Sequence, residues 1–410
     1  MKKIHFSEWG IDSPRYWALF FGLAVVVGIG GLATLHMEHS GHWVTGMTNQ
    51  VVWGTPHVFA VFLIVAASGA LNVASIASVF GKKMYKPLAP LSGLLAVTLL
   101  VAGLLVLVLD LGRPERLIVA MTTYNFKSIF AWNIYLYTGF LVIVVVYLWT
   151  MMDRKANSYS KPVGVFAFVW RLALTTGTGS IFGFLVARQA YDAAIMAPMF
   201  IIMSFGFGLA IYLLVLMFAF NWDGRPLGDA IVRRLKNLLG VFVAAILYFW
   251  VVYHLTNLYG TENHAVEGFM LMSGGVYTWV FWVGQVLLGG LVPLGILYHP
   301  VLGMSRGAIA GAAALVILGG FSAMYVIIIG GQAFPMAMFP GKTIIESGFH
   351  DGVEGAVAGY APSLPEVLLG IGGVALALLM TLMAIRVLKF LPVSLSDEMA
   401  DPHAAIEAQG

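Results

Sequence analysis

Ten stretches of about twenty apolar residues follow one another along the chain, near residues 16–35, 53–80, 88–111, 129–152, 163–187, 197–220, 238–259, 276–298, 307–330 and 365–390. At about 1.5 Å per residue, a helix of that length crosses the hydrocarbon core of a bilayer. Inside hydrocarbon the backbone must satisfy its own hydrogen bonds, and a helix does so within one segment. The expected fold is therefore an all-α polytopic membrane protein of ten spans. With 60% apolar and only 10% charged residues, the composition excludes a soluble globular class, and no nucleic-acid partner is expected. Membrane lipid is the surrounding medium.

The loops between these runs alternate in charge. On one side lie Lys2, Lys3, Arg15, Lys82, Lys83, Lys86, Arg154, Lys155, Lys161, Arg225, Arg233, Arg234, Lys236, Arg306, Arg386 and Lys389, sixteen cations. Arg113, Arg116, Lys127, Arg188 and Lys342 lie on the other, and Arg171 falls inside the fifth run. The positive-inside bias then puts both termini in the cytoplasm, with the protein in the cell's inner membrane. The first segment, Met1-Lys2-Lys3 followed by polar Ser7-Glu8-Trp9-Gly10, lacks a cleavable signal pattern, so the first helix is expected to stay. Span order suggests a first four-helix bundle at 1–155, a second at 156–300, a helix pair with a long outer loop at 301–393 and a cytoplasmic tail at 394–410. Trp9, Trp43, Trp53, Trp149, Trp222 and Tyr259, near the ends of the runs, read as interfacial anchors. The absence of cysteine excludes disulfides, thiolate-held iron–sulfur clusters and a cysteine nucleophile.

Against this apolar background, the segment Leu109-Asp110-Leu111-Gly112-Arg113-Pro114-Glu115-Arg116 stands out, because ionisable groups at the membrane edge are costly unless they bind something. On the same outer side fall His36, Glu38, His39 and His42 after span one, Pro56-His57 at the start of span two, and Tyr124, Asn125 and Asn133 around the start of span four. A redox quinone needs hydrogen-bonding groups at its two oxygens and proton acceptors nearby, which His, Asp and Tyr supply. The simpler account makes Gly112-Arg113-Pro114 a helix-ending turn with Asp110 paired to Arg113 or Arg116, and leaves His36, His39 and His42 solvated.

Two further polar sets lie deeper. His57, Ser68, Asn72 and Ser75 share one face of span two, which suits either a proton path or interhelical hydrogen bonding. Arg171, Thr175 and Thr178 share a face of span five, with Arg171 expected to snorkel toward the cytoplasm. Span seven adds His254 and Asn257, the following loop Glu267, and span eight Gln285, which outline a second polar pocket. Two other function classes compete. A b-type cytochrome would ligate haem through His57 and His254 or through His36 and His57. An ion-coupled transporter would use Arg171 and the span-two face.

Four segments carry a family resemblance: LDLGRPERL after span three, YNFKSIFAWN into span four, YVIIIGGQAFPM ending span nine and PSLPEVLLG opening span ten. With MEHSGHWVTGM and VVWGTPHVFAVFLIVAASGALNVASI, they make the chain resemble the NrfD/PsrC family of quinone-interacting membrane subunits, in its ten-helix, HybB/DsrP-like branch. The nearest likeness is to the DsrP type of the sulfur-metabolising DsrMKJOP complex. The resemblance implies a menaquinone or ubiquinone site near the outer face and no haem or iron–sulfur cluster in the chain itself. Electrons would pass to or from a periplasmic ferredoxin-like iron–sulfur subunit, beside cytochrome b-type and c-type subunits. Asp110 and Arg113 carry over by motif. His57 and Tyr124 follow by location, and Asn133, His36 and His39 complete the expected site, with His57 and Asp110 as proton acceptors and no metal ligands.

Overall fold

The structure, a computed structural model, describes residues 4–9, 13–335, 346–347, 352–353, 357 and 359–400. Lys2, Lys3, Lys342, the outer-loop residues His350, Asp351 and Glu354, and the tail residues 401–410 lie outside the described residues. Ten helices are long and apolar enough to span: α1 (Pro14–Ser40), α2 (Thr55–Ser78), α3 (Lys83–Leu109), α4 (Ile129–Met152), α5 (Asn157–Gly183), α6 (Met196–Trp222), α7 (Asp229–Tyr259), α8 (Val276–Tyr298), α9 (Arg306–Ala333) and α10 (Leu364–Val387). The protein is thus an all-α polytopic membrane protein, and each expected span is a helix.

Helix starts follow local chemistry. Ser13, Ser128 and Ser305 each accept a backbone N–H in the first turn of α1, α4 and α9, satisfying a donor that the helix itself cannot. At α10 the buried Glu366 carboxylate accepts from the Ser363 N–H at 2.8 Å. It also accepts from the Gly46 N–H and the Tyr360 hydroxyl, each at 2.8 Å, and so ties the first outer loop to the last helix.

The helices pair differently from their order in the chain. α2, α3, α4 and α5 form one ring of four, and α6, α7, α8 and α9 form a second. α1 lies outside both, packed along α10. The expected division at 1–155, 156–300 and 301–393 follows span order, whereas in packing α10 returns to cover α1 and α5 closes on α4. The reason is side-chain size: a Cβ on Gly30 would stand 2.9 Å from Gly372 Cα, so only glycine lets α1 and α10 approach this closely. The two rings meet through α2 and α6, where a Cβ on Gly69 would overlap the Ser204 carbonyl.

Loop contacts sort the two ends. Arg225 donates to the carbonyls of Leu391, Pro392 and Glu8, and Phe6–Ser7 pairs antiparallel with Leu391–Pro392, so both chain ends meet at the cation-rich side. At the opposite end, here called outer, Arg188 donates to the carbonyls of Gln332 and Gln50 at 2.9 and 2.8 Å.

Arg171 does not snorkel. It is buried, donates to the Ser68 carbonyl at 3.0 Å and to Asn72 Oδ1 at 2.5 Å, and lies over the rings of Phe168 and Phe205. Ser68 also shares a hydrogen bond with Thr175 at 2.7 Å, and Ser75 donates to the Leu71 carbonyl. Much of the polar face of α2 is thus engaged in joining α2 to α5. Mid-helix departures from regular geometry occur where α2 breaks at Leu71, where α8 is π-helical over Val280–Leu291, and where α9 is π-helical over Val326–Gly330.

Candidate functional site

Pro56 sits in the first turn of α2, where its missing N–H costs nothing, and the chain there turns His57 into the outer mouth of the first ring. α3 ends at Asp110, and the next residue but one, Gly112, has φ +61°, a left-handed conformation that glycine adopts without steric cost. A Cβ at Gly112 would also stand 3.3 Å from the His42 ring. This turn leaves the Asp110 side chain fully buried, with Oδ2 at 2.6 Å from His57 Nδ1. A carboxylate only accepts, so Nδ1–H donates and Nε2 is left as the free edge of the imidazole.

His57 belongs to the wall of a cavity of about 430 Å³ between α2, α3, α4 and α5, within the size range of sites for small organic ligands. Its wall is mainly apolar, from Val61, Ile64, Leu104, Leu107 and Ile134 among others. The short helix Leu117–Thr122 covers one side through Leu117, Ala120 and Met121. The polar groups are few. Asn133 donates from Nδ2 to the carbonyls of Ile129 and Gly177, leaving Oδ1 buried and without a partner. Tyr137 shares a hydrogen bond with Thr178 at 3.1 Å. Trp53 stacks on His57, centroids 6.0 Å apart and planes 21° apart. An apolar chamber with a few fixed polar groups suits an amphiphilic ring ligand better than an ion.

The expected residues separate into two sets. His57 and Asn133 line the cavity, and Asp110 stands behind His57, holding it. Arg113 is exposed and forms no ion pair with Asp110 among the described residues, so the expected Asp110–Arg113 pairing is replaced by Asp110–His57. Tyr124 faces away, edge-on to Phe126, Trp132 and Tyr135, where burial raises its hydroxyl above the ordinary tyrosine range. His36 and His39 are exposed on α1, which packs chiefly along α10 and meets the first ring through Met37, and His36 shares a hydrogen bond with Ser40. His57 and His254 lie in different rings, each bound to its own carboxylate.

Trp53, Tyr137 and Gln332 complete the site and were not legible as such. Trp53 reads as an anchor, yet it caps the cavity, and its spacing of four residues from His57 was the available signal. Gln332 fixes Trp53 from α9, accepting from the Val52 and Trp53 N–H groups and donating to the Trp53 carbonyl. On the opposite side of the membrane, a cavity of about 570 Å³ is edged by Lys83, Lys86 and Lys161 and contains no buried acid–histidine pair.

The profile of the family described as polysulphide reductase, NrfD, matches residues 43–336. The Hdr-like menaquinol oxidoreductase integral membrane subunit of Archaeoglobus fulgidus is 29% identical over 402 residues, 97% of this chain and 99% of that protein. A putative dimethyl sulfoxide reductase membrane subunit of Halobacterium salinarum is 27% identical over 430 residues, covering 97% and 94%. The menaquinone reductase integral membrane subunit of Nitratidesulfovibrio vulgaris is 22% identical over 351 residues, covering 79% and 82%. The profile match takes in Asp110, Asn133, His57 and Gln332 together, and the chain belongs to the polysulphide reductase NrfD family.

Proposed function

We propose that this chain is the quinone-interacting membrane subunit of a multi-subunit redox complex, and that quinol is oxidised or quinone reduced in the His57 cavity. The observation that carries this is His57 held by Asp110 at 2.6 Å on the wall of an apolar chamber of about 430 Å³. Two of its relatives bear menaquinol or menaquinone in their names, which supports the same ligand class.

The quinol form supplies two electrons and two protons when it is oxidised. His57 Nε2 accepts a hydroxyl proton, and the Asp110 carboxylate stabilises the resulting imidazolium and fixes its orientation. Asn133 Oδ1, buried without a partner, accepts from a second hydroxyl. In the reverse direction the same groups return protons. With the charge bias setting the orientation, the site opens on the outer side of the inner membrane, both termini being cytoplasmic. Electrons then pass to or from a periplasmic ferredoxin-like iron–sulfur subunit, with cytochrome b-type and c-type subunits as further partners, as the DsrP-type motifs imply.

The test is fluorescence titration of the full-length purified protein with a hydroxyquinoline quinol analogue. Saturable binding that weakens by about tenfold or more in His57→Leu, with melting temperature retained, supports the assignment. Unchanged affinity in a folded His57→Leu variant overturns it.

A further inference from the structure

The second ring repeats the acid–histidine pair on different elements. His254, at the outer end of α7, has Nδ1 at 2.6 Å from Glu267 Oε2, and Asn257 donates to Glu267 Oε1 at 2.8 Å. Trp250, one turn earlier, stacks on the imidazole at 5.6 Å and 23°, as Trp53 does on His57 at 6.0 Å and 21°. Both rings therefore present the spacing Trp-x-x-x-His with a carboxylate on Nδ1.

What faces the second pair differs. Beside Trp250 lies a cavity of only about 10 Å³, bounded by Gln285, Gly289, Gly290 and Gly319, the size of a single water position. A Cβ on Gly289 would overlap Gly319, so these glycines bring α8 and α9 together and close the space that a quinone ring would need. Trp250 and Gln285 line the cavity, and His254 packs against Trp250 and against Phe281, one turn before Gln285 on α8; His254 Nε2, Trp250 Nε1 and both amide atoms of Gln285 are each buried and without a partner. Gln285 is 5% exposed and His254 9%. An unsatisfied buried polar atom is destabilising, and a bound water is the usual remedy. Gln285 sits within the π-helical stretch Val280–Leu291, a geometry that concentrates at functional sites.

We infer that His254 and Glu267, with one water held by Gln285, form a proton-exchange site that binds no quinone. Hydronium transfers a proton to His254 Nε2 and leaves as water; the imidazolium faces the Glu267 carboxylate, and release runs in reverse. Among the described residues Glu267 ion-pairs with His254 alone. The neighbouring titratable groups are Tyr253 on α7, donating to the Ala190 carbonyl, and His264, bonded to the Leu258 carbonyl. From α8 and α9 come Tyr277 and Tyr325, stacked on each other, and Glu262 lies in the preceding turn. The site stands apart from the quinone cavity and does not depend on it.

The test uses the full chain in lipid nanodiscs with 15N-labelled histidine, the His254 resonances assigned by subtraction of a His254→Gln spectrum. Nitrogen shifts report which ring position carries the proton. On acidification His254 Nε2 is expected to gain a proton; Gln285→Leu is expected to slow its exchange with solvent by about tenfold, and a hydroxyquinoline quinol analogue to leave it unmoved. If His254→Gln does not fold, Glu267→Gln, which keeps the His254 ring and alters its Nδ1 hydrogen bond together with the Asn257 contact, supplies the assignment. An Nε2 that stays unprotonated over the whole pH range of the folded protein overturns the inference. So does exchange unaffected by Gln285→Leu, or a His254 signal that the analogue shifts.

Discussion

The Gln332 side chain grips Trp53 by both of its backbone groups: Oε1 accepts the Trp53 N–H at 3.0 Å and Nε2 donates to the Trp53 carbonyl at 3.0 Å. The same amide accepts from the Val52 N–H, so these three bonds fix one end of α9 on the approach to α2, while its bond to the Ile328 carbonyl steadies the side chain within α9. Gln332→Ala removes them together. At a net contribution of about 0.5–1.5 kcal/mol each, their loss lowers the melting temperature measurably. It also frees the indole above His57, so affinity for the quinol analogue is expected to fall by about tenfold in the same preparation. Unaltered affinity with a lowered melting temperature would separate Trp53 from ligand binding.

Asp110→Asn keeps the shape of the side chain but presents an amide that can donate to Nδ1, so the imidazole is no longer held with its proton on that nitrogen. Quinol turnover is expected to drop by about a hundredfold, while affinity for the analogue changes little, since Asp110 lies behind His57 and not on the cavity wall. Steady-state kinetics of the variant complex give both numbers. A turnover equal to wild type would remove Asp110 from the reaction.

Arg171→Met leaves Asn72 Oδ1 and the Ser68 carbonyl without their donor, at about 1–3 kcal/mol for each buried acceptor. Thermal unfolding should show that loss, and the double variant Arg171→Met/Asn72→Leu should recover part of it. Turnover per folded molecule is expected to stay within about twofold, because the role of Arg171 is to join α2 to α5. Collapse of turnover in the folded double variant would instead restore the α2 face as a proton path.

At the other end of the molecule, a hydrogen bond from its own backbone N–H, with the Lys389 ammonium 3.6 Å away, holds the Glu8 carboxyl below the ordinary carboxylate range. A carboxyl lowered in the folded state adds stability above its unfolded value, and that contribution is lost as the pH falls through the folded value. The melting difference between wild type and Glu8→Gln is therefore expected at neutral pH and should vanish in acid. The opposite trend would mean that the Glu8–Lys389 contact does not stabilise the fold.

The ten spans were legible because hydrocarbon imposes one solution on a long apolar run. Their neighbours were not: in apolar helices the partner is encoded in a few small residues such as Gly30 and Gly372, which carry no signal until the two backbones are side by side. The same contrast runs through the site. His57, Asp110 and Asn133 stood out as polar residues in apolar surroundings, whereas Tyr124 was placed by closeness in the chain and faces its own aromatic cluster instead. The segments that carried the family resemblance each acquire a physical task. Gly112 makes the turn that buries Asp110, Asn133 reaches the cavity, Gln332 holds Trp53 and Glu366 gathers the outer loop.

The packing of α1 along α10 has a consequence for biosynthesis. α1 leaves the ribosome well before α10, so it waits without its main packing partner until α10 is inserted. Shortening the chain before Leu364 would therefore strand α1 as well as remove α10. α1 gains its main packing partner only when α10 is in place.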